Sequence, residues 1–382
     1  MDNACSISVV ICAYTLDRWE DLCEAVQSVR NQVRPFHEII VVVDHNSGLL
    51  QRAMTEFPDL LVVANQEARG LSGGRNTGIA ISSGSLVAFL DDDAVADPYW
   101  LSRLAEHCER PNVLGASARI LPLWVGERPG WLPEELLWTV GCSYRGLPTA
   151  PREVRNVLGA AMIVRRQIFQ HAGGFTAALG RQGRSFPLSC EETELCIRAR
   201  AVIPEGRFMF EPSSIVWHKV PSSRLTWAYF RLRCYAEGVS KAYIAALSGN
   251  RNVLATERRY VVRTLSAGIA RGLSDFAFHL DADGLKRSAA IVLGLVSAAA
   301  GYFVTKLRFA ALPRTKRHFT SACAPIGPLA FAQHSPRAPL VANGGAATIA
   351  NVARLPQNAI CQLDNEPAPA ANTPERPPVD RQ

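Results

Sequence analysis

Four short apolar runs in the first ninety residues constrain what this chain can fold into more than any other feature. They are Ser6–Ala13 (SISVVICA), Glu38–Val43 (EIIVVV), Leu60–Val63 and Leu86–Leu90 (LVAFL), and polar or acidic residues follow each one. Runs this short and this rich in β-branched residues read as strands buried on both faces, the pattern of a parallel sheet. The stretches between them have helical spacing. Leu22, Val26, Val29 and Val33 recur behind Asp17, which is placed to cap them, and Gly73–Ser83 reads as a second helix. Successive strand–helix–strand units build an α/β domain with a mixed, mostly parallel sheet. Ligands of such sheets sit beyond the carboxyl ends of the strands, so the polar residues after each run are where chemistry is expected.

The pattern loosens further along. A strand is expected at Asn112–Ala118, and the Trp-, Pro- and Gly-rich stretch Leu121–Arg155 reads as an irregular insertion or lid. Segments 157–164, 186–200, 207–216 and 225–248 read as strand, helix, strand and helix. Residues 260–280 carry Val261, Leu265, Ile269, Leu273, Phe276 and Leu280 on one amphipathic stripe, and from Ser335 the chain reads as a disordered tail. With 48% hydrophobic and 20% charged residues, a wholly disordered chain, a collagen-like repeat and a polytopic membrane protein are excluded. The 10 cysteines form no C-x-x-C pair, which suits reduced thiols in the cytosol, and Met1-Asp2-Asn3-Ala4 lacks the basic start of a cleavable signal.

Asp91-Asp92-Asp93 directly follows the fourth run. Adjacent carboxylates repel, so three at a strand end cost stability unless a cation or hydrogen-bond donors neutralise them. Mg²⁺ or Mn²⁺ is held by such carboxylates together with phosphate oxygens, and a solvated acidic turn near Pro98 is the plainer alternative. Asp44 follows the second run, with Asn46-Ser47 next, polar groups suited to a base or ribose or simply to a turn. Gly70-Leu71-Ser72-Gly73-Gly74-Arg75-Asn76 is a glycine-rich loop entering a helix, where free N–H groups and Arg75 can meet an anion. It lacks the Gly-Lys-Ser/Thr of a Walker A loop. No G-x-G-x-x-G follows the first run either, which disfavours a nicotinamide dehydrogenase.

Taken in order, SVVICAYTLDR, EIIVVVDHNS and ARGLSGGRNTGIAISSGSLVAFLDDD resemble the family 2 glycosyltransferases, inverting enzymes of the GT-A fold, across about residues 6–240. The resemblance implies that Asp44 contacts the nucleotide base and that Arg75 and Asn76 line the nucleotide pocket. Ala13, Thr15, Gly70 and Asp92 join them on the nucleotide-sugar side. Asp91 would approach the ribose, and Asp93, with Asp91 and His218, the metal that bridges the diphosphate. Without the resemblance, His218 in Trp217-His218-Lys219 reads equally as a structural histidine.

Glu191-Glu192-Thr193-Glu194 places acids where a helix begins, and there they complement its dipole, a sufficient structural reason for them. Sugar transfer with inversion needs one carboxylate to take the acceptor hydroxyl's proton, and counter-charge for the departing diphosphate. The resemblance maps that base to Glu192, with Glu191 second. Two departures stand out: the family's usual Asp is Glu at 192, one methylene longer, and the glycine that often precedes the pair is Cys190. Gly173-Gly174-Phe175 and Gly159-Ala160-Ala161-Met162 match landmarks on the acceptor side.

Further on, Arg231, Tyr235 and Gly238 share a helix face that suits phosphate or plain solvent, and the segment is loosely similar to transferases acting on lipid-phosphate-linked sugars. Ser288–Thr305 is free of charge and spans about 27 Å as a helix, near the roughly 30 Å of a bilayer core. Lys286 and Arg287 precede it, and Lys306, Arg308, Arg314, Lys316 and Arg317 follow. A crossing would set the heavier positive charge outside, which favours attachment in the membrane plane. The expected organisation is a GT-A domain over 1–245 (nucleotide half 1–120, acceptor half 121–245), a helical membrane-associated segment over 246–320 and a tail over 321–382. The expected activity is inverting, metal-dependent transfer from a UDP- or GDP-linked sugar to a lipid-linked or polysaccharide acceptor at the cytoplasmic face of the membrane. Nucleic acid is not an expected partner, because much of the net charge of +7 falls in 224–241 and 251–317. A sugar nucleotidyltransferase is the alternative enzyme, but it opens with a basic glycine loop where this chain has Ala13-Tyr14-Thr15-Leu16-Asp17-Arg18. A non-catalytic nucleotide-sugar-binding module has only the Glu at 192 in its favour.

Overall fold

The computed structural model describes residues 6–180, 188–248 and 253–311. The first part of the chain runs β1 (Ile7–Ala13), α1 (Trp19–Arg30), β2 (Glu38–Val43), α2 (Ser47–Glu56), β3 (Leu61–Ala64), α3 (Leu71–Ile81) and β4 (Leu86–Asp91). It continues with β5 (Ala94–Ala96), α4 (Trp100–His107), β6 (Val113–Trp124), β7 (Arg152–Val154), β8 (Ala161–Arg165) and α5 (Gln167–Ala172). The last elements are α6 (Glu191–Val202), β9 (Arg207–Val220), α7 (Trp227–Ser248), α8 (Ala255–Arg259), α9 (Ser266–His279) and α10 (Ala282–Ala311). The tail expected from Ser335, with Arg314, Lys316 and Arg317, lies outside the described residues.

β3-β2-β1-β4 pair in parallel, and their side chains alternate between two cores. Ile7, Val9, Ile11, Ile39, Val41, Leu86 and Ala88 meet α1, α2 and α4. Val10, Ile40, Val42, Val87 and Phe89 meet Ile79 of α3, Phe169 of α5 and Leu195 of α6. Strands covered on both sides have no polar face, which is why these runs are apolar throughout. Asp17 does not cap α1: a 3₁₀ turn at Leu16–Arg18 precedes it, and Thr15 Oγ1 accepts from Asp17 N at 3.2 Å.

The second half of the sheet is built differently. β8 inserts antiparallel between β4 and β6, β6 and β9 pair in parallel, and β5 and β7 add antiparallel to β9. The ladders therefore divide into four parallel and four antiparallel, so the parallel character belongs mainly to the first half. The expected insertion at Leu121–Arg155 is partly regular: β6 runs on to Trp124, and a 3₁₀ segment at Glu134–Val140 and then β7 follow.

α10 packs along α7 and α9. Phe230 and Cys234 of α7, Leu265, and Ala290 and Ile291 of α10 belong to the same apolar cluster as β1 and β4. The α7–α10 crossing depends on glycine: a Cβ on Gly238 would lie 1.9 Å from the Ala298 carbonyl oxygen, and one on Gly301 would lie 2.1 Å from that of Tyr235. Outward, Leu273, Phe276, Phe278 and Leu280 of the α9 region and Val292, Val296, Phe303 and Leu307 of α10 remain exposed. α10 is long and apolar enough to cross a bilayer by length and composition. Gly238→Ala forces α7 from α10 and is expected to lower stability by about 1–3 kcal/mol, read as the midpoint of chemical denaturation; an unmoved midpoint would refute the close contact.

Candidate active site

β4 ends at Asp91, a two-residue turn holds Asp92 and Asp93, and β5 leaves along β9 with Ala94 opposite His218. That register, secured by Lys219 N donating to the Asp93 carbonyl at 2.8 Å, puts the imidazole against the acids. His218 Nε2 lies 3.2 Å from Asp93 Oδ1, and Arg224 Nη2 lies 3.4 Å from Asp93 Oδ2. Arg18 Nη1 reaches Asp92 Oδ1 at 2.8 Å and Asp93 Oδ2 at 3.1 Å. Burial alone would raise the Asp93 pKa, but His218, Arg18 and Arg224 outweigh it and hold the carboxyl well below the usual range. Asp92 goes the other way, pushed up to about 7 by burial and then by its neighbour Asp93. Asp91, Asp93 and His218 offer ligand atoms within 4.8 Å of one another. Asp92 Oδ2, His218 Nδ1 and Arg224 Nη1 are buried without partners, so polar capacity at this spot is left for a ligand.

Arg75 joins these acids to the second acidic pair. It is 2% exposed, lies against the rings of Phe89 and Phe175, and donates to Glu191 Oε1 at 2.9 Å and to the Gly159 carbonyl at 2.8 Å. Its Nη2 also stands 3.4 Å from Asp91 Oδ1. Beside it, Glu192 is half-buried and lines the cavity. Burial first, then the charge of Glu191, push its pKa up to about 8 against the pull of Arg75 and Lys241.

Cys190, at the N-cap of α6, has φ 78° and ψ 16°, the left-handed region that glycine adopts freely. Its thiol is held by Glu237 Oε1 at 3.3 Å, and Ser189 Oγ donates to Glu237 Oε2 at 2.9 Å. Across the glycine loop, Gly70 (φ 119°) donates its N–H to Asp44 Oδ2 at 3.0 Å, and Asn65 Nδ2 donates to Asp44 Oδ1 at 2.7 Å. One cavity of about 890 Å³ connects all of this and continues past Trp138 and Tyr144 to α10.

The sequence profile of glycosyl transferase family 2 matches residues 8–173. Over 239 residues the chain is 33% identical to glucosyl-dolichyl phosphate glucuronosyltransferase of Haloferax volcanii, spanning 62% of this chain and 76% of that protein. The chain belongs to glycosyl transferase family 2. Pre-mycofactocin glycosyltransferase of Mycobacterium tuberculosis is 30% identical over 171 residues, 44% of this chain and 34% of that protein. Succinoglycan biosynthesis protein ExoM of Rhizobium meliloti is 24% identical over 249 residues, 63% and 75%. This family 2 glycosyltransferase has the expected α/β fold of the GT-A type with a helical C-terminal segment.

The cavity of this family 2 chain gathers Ala13, Asp44, Gly70, Arg75, Asp91, Asp92, Asp93, His218, Glu191 and Glu192. Thr15 and Asn76 do not line it: Thr15 caps the turn before α1, and Asn76 grips the main chain of Phe175 at both N and O, 2.7 and 2.9 Å. The face of α7 turned to the cavity carries Arg233, Glu237, Gly238 and Lys241, while Arg231 is exposed. Sequence reasoning missed Arg18 and Arg224. The only available signal for Arg18 was a basic residue just past a strand adjacent to the acidic strand, and Arg224 gave none before the β5–β9 register was known. At position 190, Cys190→Gly is expected to be more stable than Cys190→Ala by about 1–2 kcal/mol, because only glycine takes this backbone without strain; equal denaturation midpoints would remove the strain from the account.

Proposed function

We propose that this glycosyltransferase moves a sugar, with inversion, from a UDP- or GDP-linked donor to a hydroxyl of a lipid-linked acceptor. The observation that carries the reading is that Arg75 links Asp91 to Glu191 within one cavity, which sets an acid cluster suited to a diphosphate beside a carboxyl with raised pKa. The relative from Haloferax volcanii, named for a dolichyl phosphate acceptor, supports the choice of lipid over free polysaccharide. We place the transferase in 1–245 and membrane attachment in 246–320, with the exposed apolar side chains of α9 and α10 resting in the plane of an anionic cytoplasmic face.

The donor set of two carboxylates and an imidazole, with His218 Nδ1 unpartnered, fits Mg²⁺ or Mn²⁺, so Asp91, Asp93 and His218 would hold the ion. When bound, such an ion supplies counter-charge to the leaving diphosphate. Arg18 and Arg224 keep Asp93 ionised for it, and Asp44 holds the glycine loop in shape on the nucleotide side. Glu192 takes the proton from the acceptor hydroxyl as the oxygen attacks the anomeric carbon, and Glu191, neutralised by Arg75, positions it.

The raised pKa fixes the sign of the pH dependence. A base must be ionised, and Glu192 in the free protein is mostly protonated below about 8, so kcat/KM should rise with pH up to about 8 and then level. Purified protein with Mn²⁺ or Mg²⁺ is expected to hydrolyse one member of a UDP-, GDP- and dTDP-sugar panel slowly and to transfer the sugar to a membrane lipid extract. Glu192→Gln should lose about 10²–10⁴-fold in turnover while still binding donor, and Asp93→Ala should lose metal-dependent donor binding by calorimetry. An inert wild type across the panel, or full turnover by Glu192→Gln, refutes the assignment.

A further inference from the structure

Past Glu192, the cavity wall carries a charge network that the transfer reaction does not use. Arg155 Nη1 pairs with Glu257 Oε2 at 2.7 Å, and Lys241 Nζ bridges Glu257 Oε1 at 3.0 Å and Glu237 Oε1 at 3.1 Å. Arg233 Nη1 reaches Glu237 Oε2 at 3.3 Å. Both carboxylates are ionised: burial would raise their pKa values, but Lys241 with Arg233 or Arg155 outweighs it and brings each down to about 2. Among the described residues, three cations thus share two carboxylates, which leaves this part of the wall with one excess positive charge.

That excess falls on Arg233. It is 7% exposed, its guanidinium lies over the Trp138 ring at 5.6 Å, and its Nε is buried with no acceptor. A buried guanidinium with a free donor and one long ion pair is poorly satisfied, and an oxyanion in the cavity completes it. The network is tied to the base, since Glu237 accepts from Ser189 Oγ and Cys190 Sγ, the two residues directly before Glu191. The same cavity is also lined by Leu295, Ala298, Ala299, Tyr302 and Phe303 of α10, and Leu295 and Phe303 are exposed. One cavity thus holds the acidic pair, a buried cation and an apolar wall that reaches solvent.

From this combination we infer that Arg233 and Lys241 form a subsite for the phosphate of a lipid-phosphate-linked acceptor whose hydrocarbon chain leaves along α10. The inference rests on the lipid-linked reading above and sharpens it. A glycosyl lipid phosphate brings a hydroxyl, a phosphate and an apolar chain to one cavity, whereas a neutral polysaccharide uses neither the cation nor the apolar wall.

The test is equilibrium binding of farnesyl phosphate, farnesol and inorganic phosphate to the full chain, followed by calorimetry. Farnesyl phosphate should bind about ten-fold or more tighter than either of the others, as one charge-assisted contact plus a buried chain requires. Arg233→Gln should bring farnesyl phosphate to the affinity of farnesol, and Arg233→Lys should keep part of the preference. Equal wild-type affinity for farnesyl phosphate and farnesol overturns the inference without any variant, and equal affinity for farnesyl phosphate and inorganic phosphate overturns its lipid half. An unchanged preference in a folded Arg233→Gln protein also overturns it. Donor hydrolysis by the wild type reports on the transferase reading separately, so the two can fail independently.

Discussion

The buried guanidinium of Arg75 is the interaction on which the rest of the site depends. Five acids, Asp91, Asp92, Asp93, Glu191 and Glu192, share one cavity, and like charges at such density disperse unless something fixed holds them. Arg75 reaches across the divide, touching Asp91 on β4 and Glu191 on α6, with the rings of Phe89 and Phe175 packed beside it. A desolvated guanidinium cannot shed its charge, so its partners are pinned as firmly as it is. The spacing between Asp91 and Glu191 is therefore set by one side chain rather than by a flexible loop.

Arg18, Arg224 and His218 do the same work at the other end, and there the sheet itself does the positioning. Asp92 and Asp93 occupy a turn too tight to place itself. β5 is three residues long and gains its place only by pairing with β9. Because Ala94 stands opposite His218, a slip of one residue would turn the imidazole to the other face and leave Asp93 with arginines alone. The antiparallel additions of the second half thus serve to lock the carboxyl end of the parallel half.

This division of labour explains what the sequence disclosed. β1, β2 and β4 were legible almost to the residue, because burial on both faces forces unbroken apolar runs. β5, β7 and the antiparallel setting of β8 were not, since strands of three to five residues have no period and their register comes from partners 45 or more residues away. Asp91, Asp93, Glu191 and Glu192 were recognisable from ordered motifs. Asn76 shares a motif with Arg75 yet spends its amide on Phe175. On α7 a simple charge pattern suggested Arg231, but the helix is covered on several sides, and the buried cation that lines the cavity is Arg233, two residues on.

The composition of α10 has a related ambiguity, and its packing bears on it. Its Ala- and Gly-rich, charge-free stretch resembles a modest membrane span, but its buried positions, Gly284, Ser288, Ala290, Ile291, Gly294, Gly301 and Thr305, recur along its length. Gly284 and Gly301 have no side chain where the backbones of α9 and α7 pass closest, and α7 carries Arg233, Glu237 and Lys241 on its cavity side. Pulling α10 away to cross a bilayer would give up the shared core through Ala290 and Ile291 and the close contacts at Gly238 and Gly301. The small residues are thus the mark of close helix contact, and the large apolar ones on the outer face are what a membrane surface can meet.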